Sequence, residues 1–373
     1  MEFSRTSGVL LQKLYLKNSP VQHPFPLLHP CRISPLMNPS NPLSLLCVVE
    51  DPEFNPSSRL RIFQHLTAMR ESGLAVEVMH HPKGAREWRE VLQKTRSVDA
   101  VLWQKILMSQ WNVLRLRMAS KRLLFDLDDA VWMGMRNHVP YVSGKQARRF
   151  SFLVRFLDGA ICGSPVLEGK VRSIKPGLRT ALVPTSVPEL PLKDHRAGGN
   201  PPVIVWVGMG ANVAQVEAIE GELLSARAGH PFLLRIVSNR RPNFREFRDW
   251  EFVEWSEQAE YEAIRIADLG IMPLVDDGFT RGKCAYKALQ YMACGLPVVA
   301  SDVGVNREWI EKTGAGLVVK PGGWAPAIGS LLSNRELRGE TGHRGWQTVR
   351  ERFTHDKVGR MLVDSLGELI ATR

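Results

Sequence analysis

Residues 279–301, FTRGKCAYKALQYMACGLPVVAS, constrain the fold of this chain more than any other segment. A basic loop (280–283) precedes a run with helical spacing (284–294), and a Gly-Leu-Pro turn then leads into an apolar strand (297–300). A helix that turns directly into a short, fully apolar strand is typical of α/β domains with a parallel sheet. The segment therefore predicts an α/β fold.

The predicted helix carries two amines and one amide on a single stripe. Lys283, Lys287 and Gln290 lie three or four residues apart, beside the apolar face of Leu289 and Met292. Because a helix N-terminus already attracts anions, lysines placed there form a candidate binding site for a diphosphate. A solvated basic face on an ordinary helix is the alternative interpretation.

The end of this segment resembles a known family. Residues 291–301, YMACGLPVVAS, are similar to the donor-binding segment of GT-B fold glycosyltransferases, in particular retaining family 4, which reads EAMACGLPVVAS here. The resemblance implies two Rossmann-like domains facing across a cleft, with the C-terminal helix crossing back to the first domain. It also implies transfer of a sugar from a nucleotide-diphosphate sugar to a hydroxyl acceptor, with retention of configuration and without a metal or other cofactor.

Two departures from the family pattern concern the donor. Family 4 has two glutamates eight positions apart, and this chain has Gly282 and Gln290 there. Gln290 can hydrogen-bond a hydroxyl but carries no charge. The family also places an Arg and a Lys soon after a glycine turn that this chain forms with Gly208 and Gly210, and no basic residue follows until Arg227. The nearest positive charges within residues 279–301 are Arg281, Lys283 and Lys287.

The chain divides into four parts. Residues 1–42 are rich in proline and predict a disordered extension, residues 43–190 a first Rossmann-like domain for the acceptor, residues 191–202 a Pro/Gly-rich linker, and residues 203–373 a second Rossmann-like domain for the nucleotide sugar. Strand and helix patterns alternate in both domains, as in doubly wound sheets.

Candidate acceptor groups follow two predicted strands of the first domain. Asp126, Asp128 and Asp129 come directly after a strand at residues 123–125, where open α/β sheets bind ligands. We interpret Asp126 and Asp129 as catalytic candidates and Asp128 as an acceptor-loop residue. Asp126 stands near the place of a histidine that family 4 members often have close to the acceptor hydroxyl. An Asp-x-Asp metal site and helix capping are the alternatives. Ser57, in the loop after the first strand, either meets a phosphate or caps a helix.

Charge is distributed unevenly along the chain. Residues 1–200 hold 28 basic and 16 acidic side chains and residues 201–373 hold 21 and 22, so that +12 and −1 give the net charge of +11. The basic half fits an anionic membrane surface or an acidic acceptor, with generic solubility as the alternative. Nucleic acid is disfavoured because no recognition motif is present. Scattered cysteines and the lack of a long apolar run predict a cytoplasmic protein, in peripheral contact with the inner face of the membrane if it works there.

Two other functions remain open from the sequence. A nucleotide-sugar epimerase of the same fold needs carboxylates and a histidine close to the sugar, and the donor segment shows no such group. A degenerate GT-B protein that binds a nucleotide or glycan without catalysis fits Gly282, Gln290 and the missing bases after Gly210.

Overall fold

A computed structural model of the chain describes residues 43–51, 55–136, 139–193 and 200–371. The predicted N-terminal extension (1–42) and part of the predicted linker (194–199) lie outside these ranges. Two six-stranded sheets and one two-stranded hairpin form within them. The predicted α/β class with two Rossmann-like domains is confirmed.

The first sheet is parallel throughout and belongs to the first domain. Its strands are β1 (Ser44–Val49), β2 (Ala75–His80), β3 (Ala100–Gln104), β4 (Leu123–Leu127), β7 (Gly159–Cys162) and β8 (Arg179–Leu182). They lie in the order β2-β1-β3-β4-β7-β8. The order reverses between β1 and β3, so the ligand crevice of this sheet lies at the carboxyl ends of these two strands.

Helices cover both faces of the first sheet. They are α1 (Pro56–Arg61), α2 (Leu66–Glu71), α3 (Ala85–Ser97), α4 (Gln110–Ala119), α5 (Gly144–Phe156) and α6 (Pro165–Ile174). Helix α1 begins before Ser57, the predicted cap: Asn55 is the N-cap, and its side chain accepts a hydrogen bond from the Ser57 amide at 2.9 Å. Pro56 fits the first helical position because that position has no N–H partner within the helix.

An antiparallel hairpin that the sequence analysis did not predict precedes α5. It consists of β5 (Met133–Arg136) and β6 (Val139–Val142), paired from Met133 with Val142 to Arg136 with Val139. The hairpin is separate from both large sheets.

The second domain repeats the plan. Its strands are β9 (Val203–Val207), β10 (Leu233–Ser238), β11 (Trp250–Glu254), β12 (Leu269–Met272), β13 (Val298–Ser301) and β14 (Gly316–Val319). Their parallel order, β11-β10-β9-β12-β13-β14, is that of a Rossmann sheet. The ligand crevice therefore lies at the carboxyl ends of β9 and β12.

The remaining helices pack on the second sheet, except the last one. They are α7 (Val213–Glu217), α8 (Glu220–Gly229), α9 (Glu257–Ile266), α10 (Tyr286–Ala293), α11 (Trp324–Ser333), α12 (Arg335–Arg352) and α13 (His355–Ala371). Val358, Leu362 and Leu366 of α13 are buried with Leu45 and Met69 in the core of the first domain. The prediction that the C-terminal helix crosses back is confirmed, and the predicted range 203–373 thus includes a helix that packs on the first domain.

The crossing point is built from the segment that follows β8. Ser186 is fully buried, and its hydroxyl lies 3.1 Å from Nε2 of His65 and 3.1 Å from Nδ1 of His355. Val187 forms a bridge with Thr354. These contacts tie α2, the interdomain connection and α13 together.

No helix in the described ranges combines the length and the apolar character needed to cross a bilayer.

Candidate functional site

The turn after β9 brings a glycine against a lysine at the crevice of the second sheet. A Cβ atom on Gly208 would stand 2.5 Å from Nζ of Lys287 and 2.6 Å from Cη2 of Trp206. The Lys287 ammonium lies 4.8 Å from the centroid of the Trp206 ring. Only glycine leaves room for this close approach, so the backbone at residue 208 and the Lys287 amine are held side by side.

Lys287 is poised to change charge near neutral pH. Burial and, to a smaller extent, the nearby Lys283 together lower the pKa of its amine to about 7, although Glu260 opposes the shift. A bound anion favours the charged ammonium and raises this pKa again. The site therefore gains most from a ligand that carries negative charge.

A second glycine of the same turn lies against an arginine. A Cβ atom on Gly210 would stand 2.7 Å from Cβ of Arg240, and the Gly210 amide donates a hydrogen bond to Oδ1 of Asn239 at 2.7 Å. Two steps along a chain span about 7 Å, so Lys287 and Arg240 flank the same turn. The next residue, Arg241, stacks on Phe252 at 4.7 Å.

Arg240 and Arg241 are bases that sequence reasoning missed. The family pattern places its bases in the chain directly after the glycine turn, whereas these two arginines follow β10. Strand β10 pairs with β9 in parallel, which places the carboxyl ends of the two strands side by side. A prediction that β9 and β10 pair in parallel would have placed these two arginines near the glycine turn.

The basic loop before α10 is arranged differently from the prediction. Helix α10 begins at Tyr286, because Ala285 adopts a left-handed conformation with φ of 48° and interrupts the helix. Lys283 thus precedes the helix, and its ammonium lies 5.3 Å from the centroid of the Phe279 ring. Arg281 is exposed and forms an ion pair with Asp276 at 2.6 Å. Of the three predicted donor-site bases, Lys287 is the one held against the glycine turn.

Gln290 lies beneath the site and not on its surface. Its side chain is buried, and its Nε2 donates a hydrogen bond to Glu260 of α9. Trp255 also donates its indole N–H to Glu260. The predicted stripe of Lys283, Lys287 and Gln290 is therefore broken, because the Gln290 amide is used inside the second domain.

The two domains are in contact near the start of residues 279–301. A Cβ atom on Gly282 would stand 2.9 Å from Cβ of Ala130, and the Cys284 thiol donates a hydrogen bond to the Asp128 carbonyl at 3.2 Å. A Cβ atom on Gly163 would stand 2.5 Å from Sγ of Cys284. A glutamate at position 282 does not fit this arrangement, so glycine permits the contact.

Asp126 is part of a buried ion pair. Arg61 donates hydrogen bonds to this carboxylate from Nε, to Oδ1 at 3.0 Å and Oδ2 at 2.9 Å, and from Nη2, to Oδ1 at 2.6 Å. Gln104 donates a fourth hydrogen bond to this carboxylate at 3.2 Å, and both members of the ion pair are almost fully buried. Both carboxylate oxygens are thus occupied inside the first domain, which corrects the expectation that this group stands open to an acceptor.

Asp128, Asp129 and Ser57 gather around a lysine that the sequence analysis overlooked. Nζ of Lys105 lies 2.7 Å from the Ser57 hydroxyl, 2.6 Å from Asp129 and 3.3 Å from Asp128. The backbone of Lys105 is left-handed, with φ of 58°, which turns its side chain toward these groups. Ser57 is thereby engaged through both its amide, bonded to Asn55, and its hydroxyl.

Neighbouring positive charges stabilise the Asp128 carboxylate of this cluster. Burial raises the pKa of Asp128, but Lys105 and Arg61 outweigh that effect and hold the pKa below its ordinary value. Asp129 is the more exposed of the two carboxylates that contact Lys105. In the described part of the chain no three His, Cys, Asp or Glu side chains are grouped as metal ligands.

The sequence of the second domain matches a known family. The model of the family described as "Glycosyl transferases group 1" matches residues 201–334. D-inositol 3-phosphate glycosyltransferase from Salinispora tropica is 33% identical over 110 residues. That match spans 29% of this chain and 22% of the relative's length. The second domain is therefore similar to group 1 glycosyltransferases.

Solved structures share the whole architecture. Sucrose-phosphate synthase from Thermosynechococcus elongatus has a TM-score of 0.70 at 16% identity, covering 88% of this chain and 99% of that one. HepE from Anabaena in complex with UDP and glucose has a TM-score of 0.65 at 14% identity, covering 87% and 100%. A glycosyltransferase from Rickettsia africae scores 0.64 at 14% identity, covering 89% and 100%. The fold is that of GT-B glycosyltransferases.

Proposed function

We propose that this protein is a glycosyltransferase related to family 4 that moves a sugar from a nucleotide-diphosphate sugar to a hydroxyl of a glycan or lipid-linked acceptor, with retention of configuration. The observation that carries the proposal is Lys287, held against the Gly208 turn at the crevice of a Rossmann-ordered sheet. An amine, a close backbone and a helix N-terminus together suit a diphosphate.

The second domain supplies the groups that hold the donor. Lys287 and Arg240 flank the glycine turn, and we assign them to the diphosphate. Positive groups stabilise a departing diphosphate when they are fixed where its negative charge develops. We propose that Lys287 and Arg240 do this without a metal ion. HepE was solved with UDP and with UDP-glucose, so uridine donors are the first to test.

The first domain supplies the acceptor side. Asp129 lies partly exposed beside Lys105, next to the interdomain contact made by Cys284 and the Asp128 carbonyl. We assign Asp129 to orientation of the acceptor hydroxyl. Asp126 acts through Arg61, whose position it fixes, so we treat it as a positioning residue and not as a catalytic one.

A non-catalytic nucleotide- or glycan-binding protein is the second candidate. Gly282 stands at the place of a family glutamate and contacts Ala130 of the first domain, and Gln290 is turned away toward Glu260. At both positions this chain lacks the carboxylate with which the family binds the donor. This candidate predicts nucleotide binding without turnover.

Binding and turnover separate these functions. Isothermal titration with UDP, UMP, GDP and ADP measures binding, and release of UDP from UDP-sugars measures turnover. We expect Lys287→Met to weaken UDP binding by about 10-fold or more, since a charge-assisted hydrogen bond contributes about 1.5–3 kcal/mol. Lys312→Met, at a lysine paired with Glu308, is the matched control.

Each candidate function predicts a different combination of nucleotide binding and turnover. UDP binding with slow UDP release supports a transferase, and binding without release from any donor supports the second candidate. Conversion of one nucleotide sugar into its epimer identifies an epimerase. Absence of binding to every nucleotide, or equal effects of the Lys287 and Lys312 variants, contradicts the donor site.

A further inference from the structure

The hairpin of β5 and β6 exposes large apolar side chains on both of its faces. The exposed fractions are 48% for Met135, 65% for Val139, 47% for Tyr141 and 85% for Val142. Residues paired across the strands share a face, so Met135 and Val142 lie on one side and Val139 and Tyr141 on the other. A flat protein surface covers one side of such a ribbon, whereas the interfacial layer of a bilayer surrounds both.

All of the Lys, Arg, Asp and Glu residues in the chain segment around the hairpin are basic. Residues 130–157 contain no Asp or Glu and five basic residues, which are Arg136, Lys145, Arg148, Arg149 and Arg155. Helix α5 packs against β5. Lys145, Arg148 and Arg155 are exposed at spacings of three and seven residues, so they form one outward stripe of α5. This charge complements anionic lipid headgroups, which attract such residues strongly near a membrane.

The hairpin also lies beside the interdomain contact. The Met133 side chain lies against Gly278 of the second domain, with Sδ and Cε 3.3 Å from the position of a Cβ atom there. We propose that the docking face, defined as the β5–β6 hairpin and the Lys145, Arg148 and Arg155 stripe of α5, binds an anionic lipid surface. Tyr141 and the apolar residues enter the interfacial layer, and the basic stripe lies over the headgroups.

This placement has a consequence for the acceptor. A membrane on the docking face stands at the edge of the interdomain contact, within reach of an acceptor hydroxyl carried on a lipid. Only this consequence rests on the proposed function, because lipid docking itself requires no nucleotide or sugar. If the protein releases UDP from a donor but does not bind vesicles, only the lipid-docking proposal is contradicted. If it binds vesicles but no nucleotide, only the proposed transferase function is contradicted.

Co-sedimentation of the full chain with vesicles tests the proposal. We expect binding to vesicles of phosphatidylcholine and phosphatidylglycerol and little binding to phosphatidylcholine alone. Val142→Asp and Arg148→Glu are each expected to reduce binding by about fivefold or more, because a basic residue near an anionic surface contributes roughly a factor of five. Both side chains are exposed, and unchanged melting curves confirm that the variants fold.

Two exposed residues away from the docking face serve as controls. Ile266 on α9 is 60% exposed and receives the same apolar-to-acidic change, Ile266→Asp. Lys357 on α13 lies across the first sheet from α5 and receives the same charge reversal, Lys357→Glu. Both should bind vesicles like the wild type. Absence of wild-type binding, equal loss in the controls, or a dimer in solution that Val142→Asp dissociates while vesicles are ignored would overturn the proposal.

Discussion

Raising the pH from about 7 to about 9 is expected to weaken UDP binding by up to roughly 50-fold, because Lys287, half protonated at its pKa of about 7, loses its proton over this range. The pKa of Lys287 is about 7 in the free protein, lowered by burial and by Lys283. A bound diphosphate raises it, so binding above this pH takes up a proton and the affinity falls as the pH rises. The diphosphate is already ionised there, since its last pKa is near that of a phosphate ester, about 6.

Isothermal titration in two buffers of different ionisation enthalpy measures both the affinity and the proton uptake. Lys287→Arg keeps a positive charge at every pH in this range, so its affinity should depend little on pH. Lys312→Arg, at an exposed and paired lysine, should keep the wild-type slope. A wild-type affinity that is flat between these pH values, or a slope that survives in Lys287→Arg, would refute the assignment of Lys287 to the diphosphate.

Three further predictions follow from buried contacts. Gly208→Ala should weaken UDP binding by about 10-fold or more while the chain stays folded, since its Cβ would displace the Lys287 ammonium; isothermal titration and a melting curve check this, and unchanged affinity would contradict it. Asp126→Asn should lower the free energy of unfolding by about 3–5 kcal/mol, because it leaves the buried Arg61 charge unpaired. Denaturant titration measures this, and a wild-type midpoint would contradict it. Burial, with smaller effects of His355 and Arg61, lowers the pKa of His65 to about 4, and burial alone lowers that of His355 to about 4. Between about 6.5 and about 4 the unfolded chain therefore binds more protons, so the free energy of unfolding should fall as the pH decreases, and His65→Gln should reduce that dependence in denaturant titrations at several pH values.

Periodicity and family resemblance gave most of the fold. The apolar runs at β1 and β9 are buried on both faces, which makes them visible as continuous hydrophobic segments. The crossing of α13 followed from the resemblance. The β5–β6 hairpin was missed because it lacks an apolar face toward a core: its alternation does not reflect burial, so pattern reasoning had no signal to use.

The site was harder to predict, because its contacts join residues far apart in sequence. Arg61 lies 65 residues from Asp126, and nothing local marks the two as partners. Arg240 reaches Gly210 through strand pairing, and the left-handed backbone that aims Lys105 is unusual for a lysine. Local spacing located the Lys287 helix and the glycine turn, but it could not tell which polar groups were already satisfied.

A crystal structure of the protein with UDP tests the donor site most directly. We predict the β-phosphate within hydrogen-bond distance of Nζ of Lys287, at the Gly208 turn, with the Arg240 guanidinium closing over the opposite side. UDP bound elsewhere on the chain, or an empty turn at a nucleotide concentration that saturates binding in solution, would contradict the assignment.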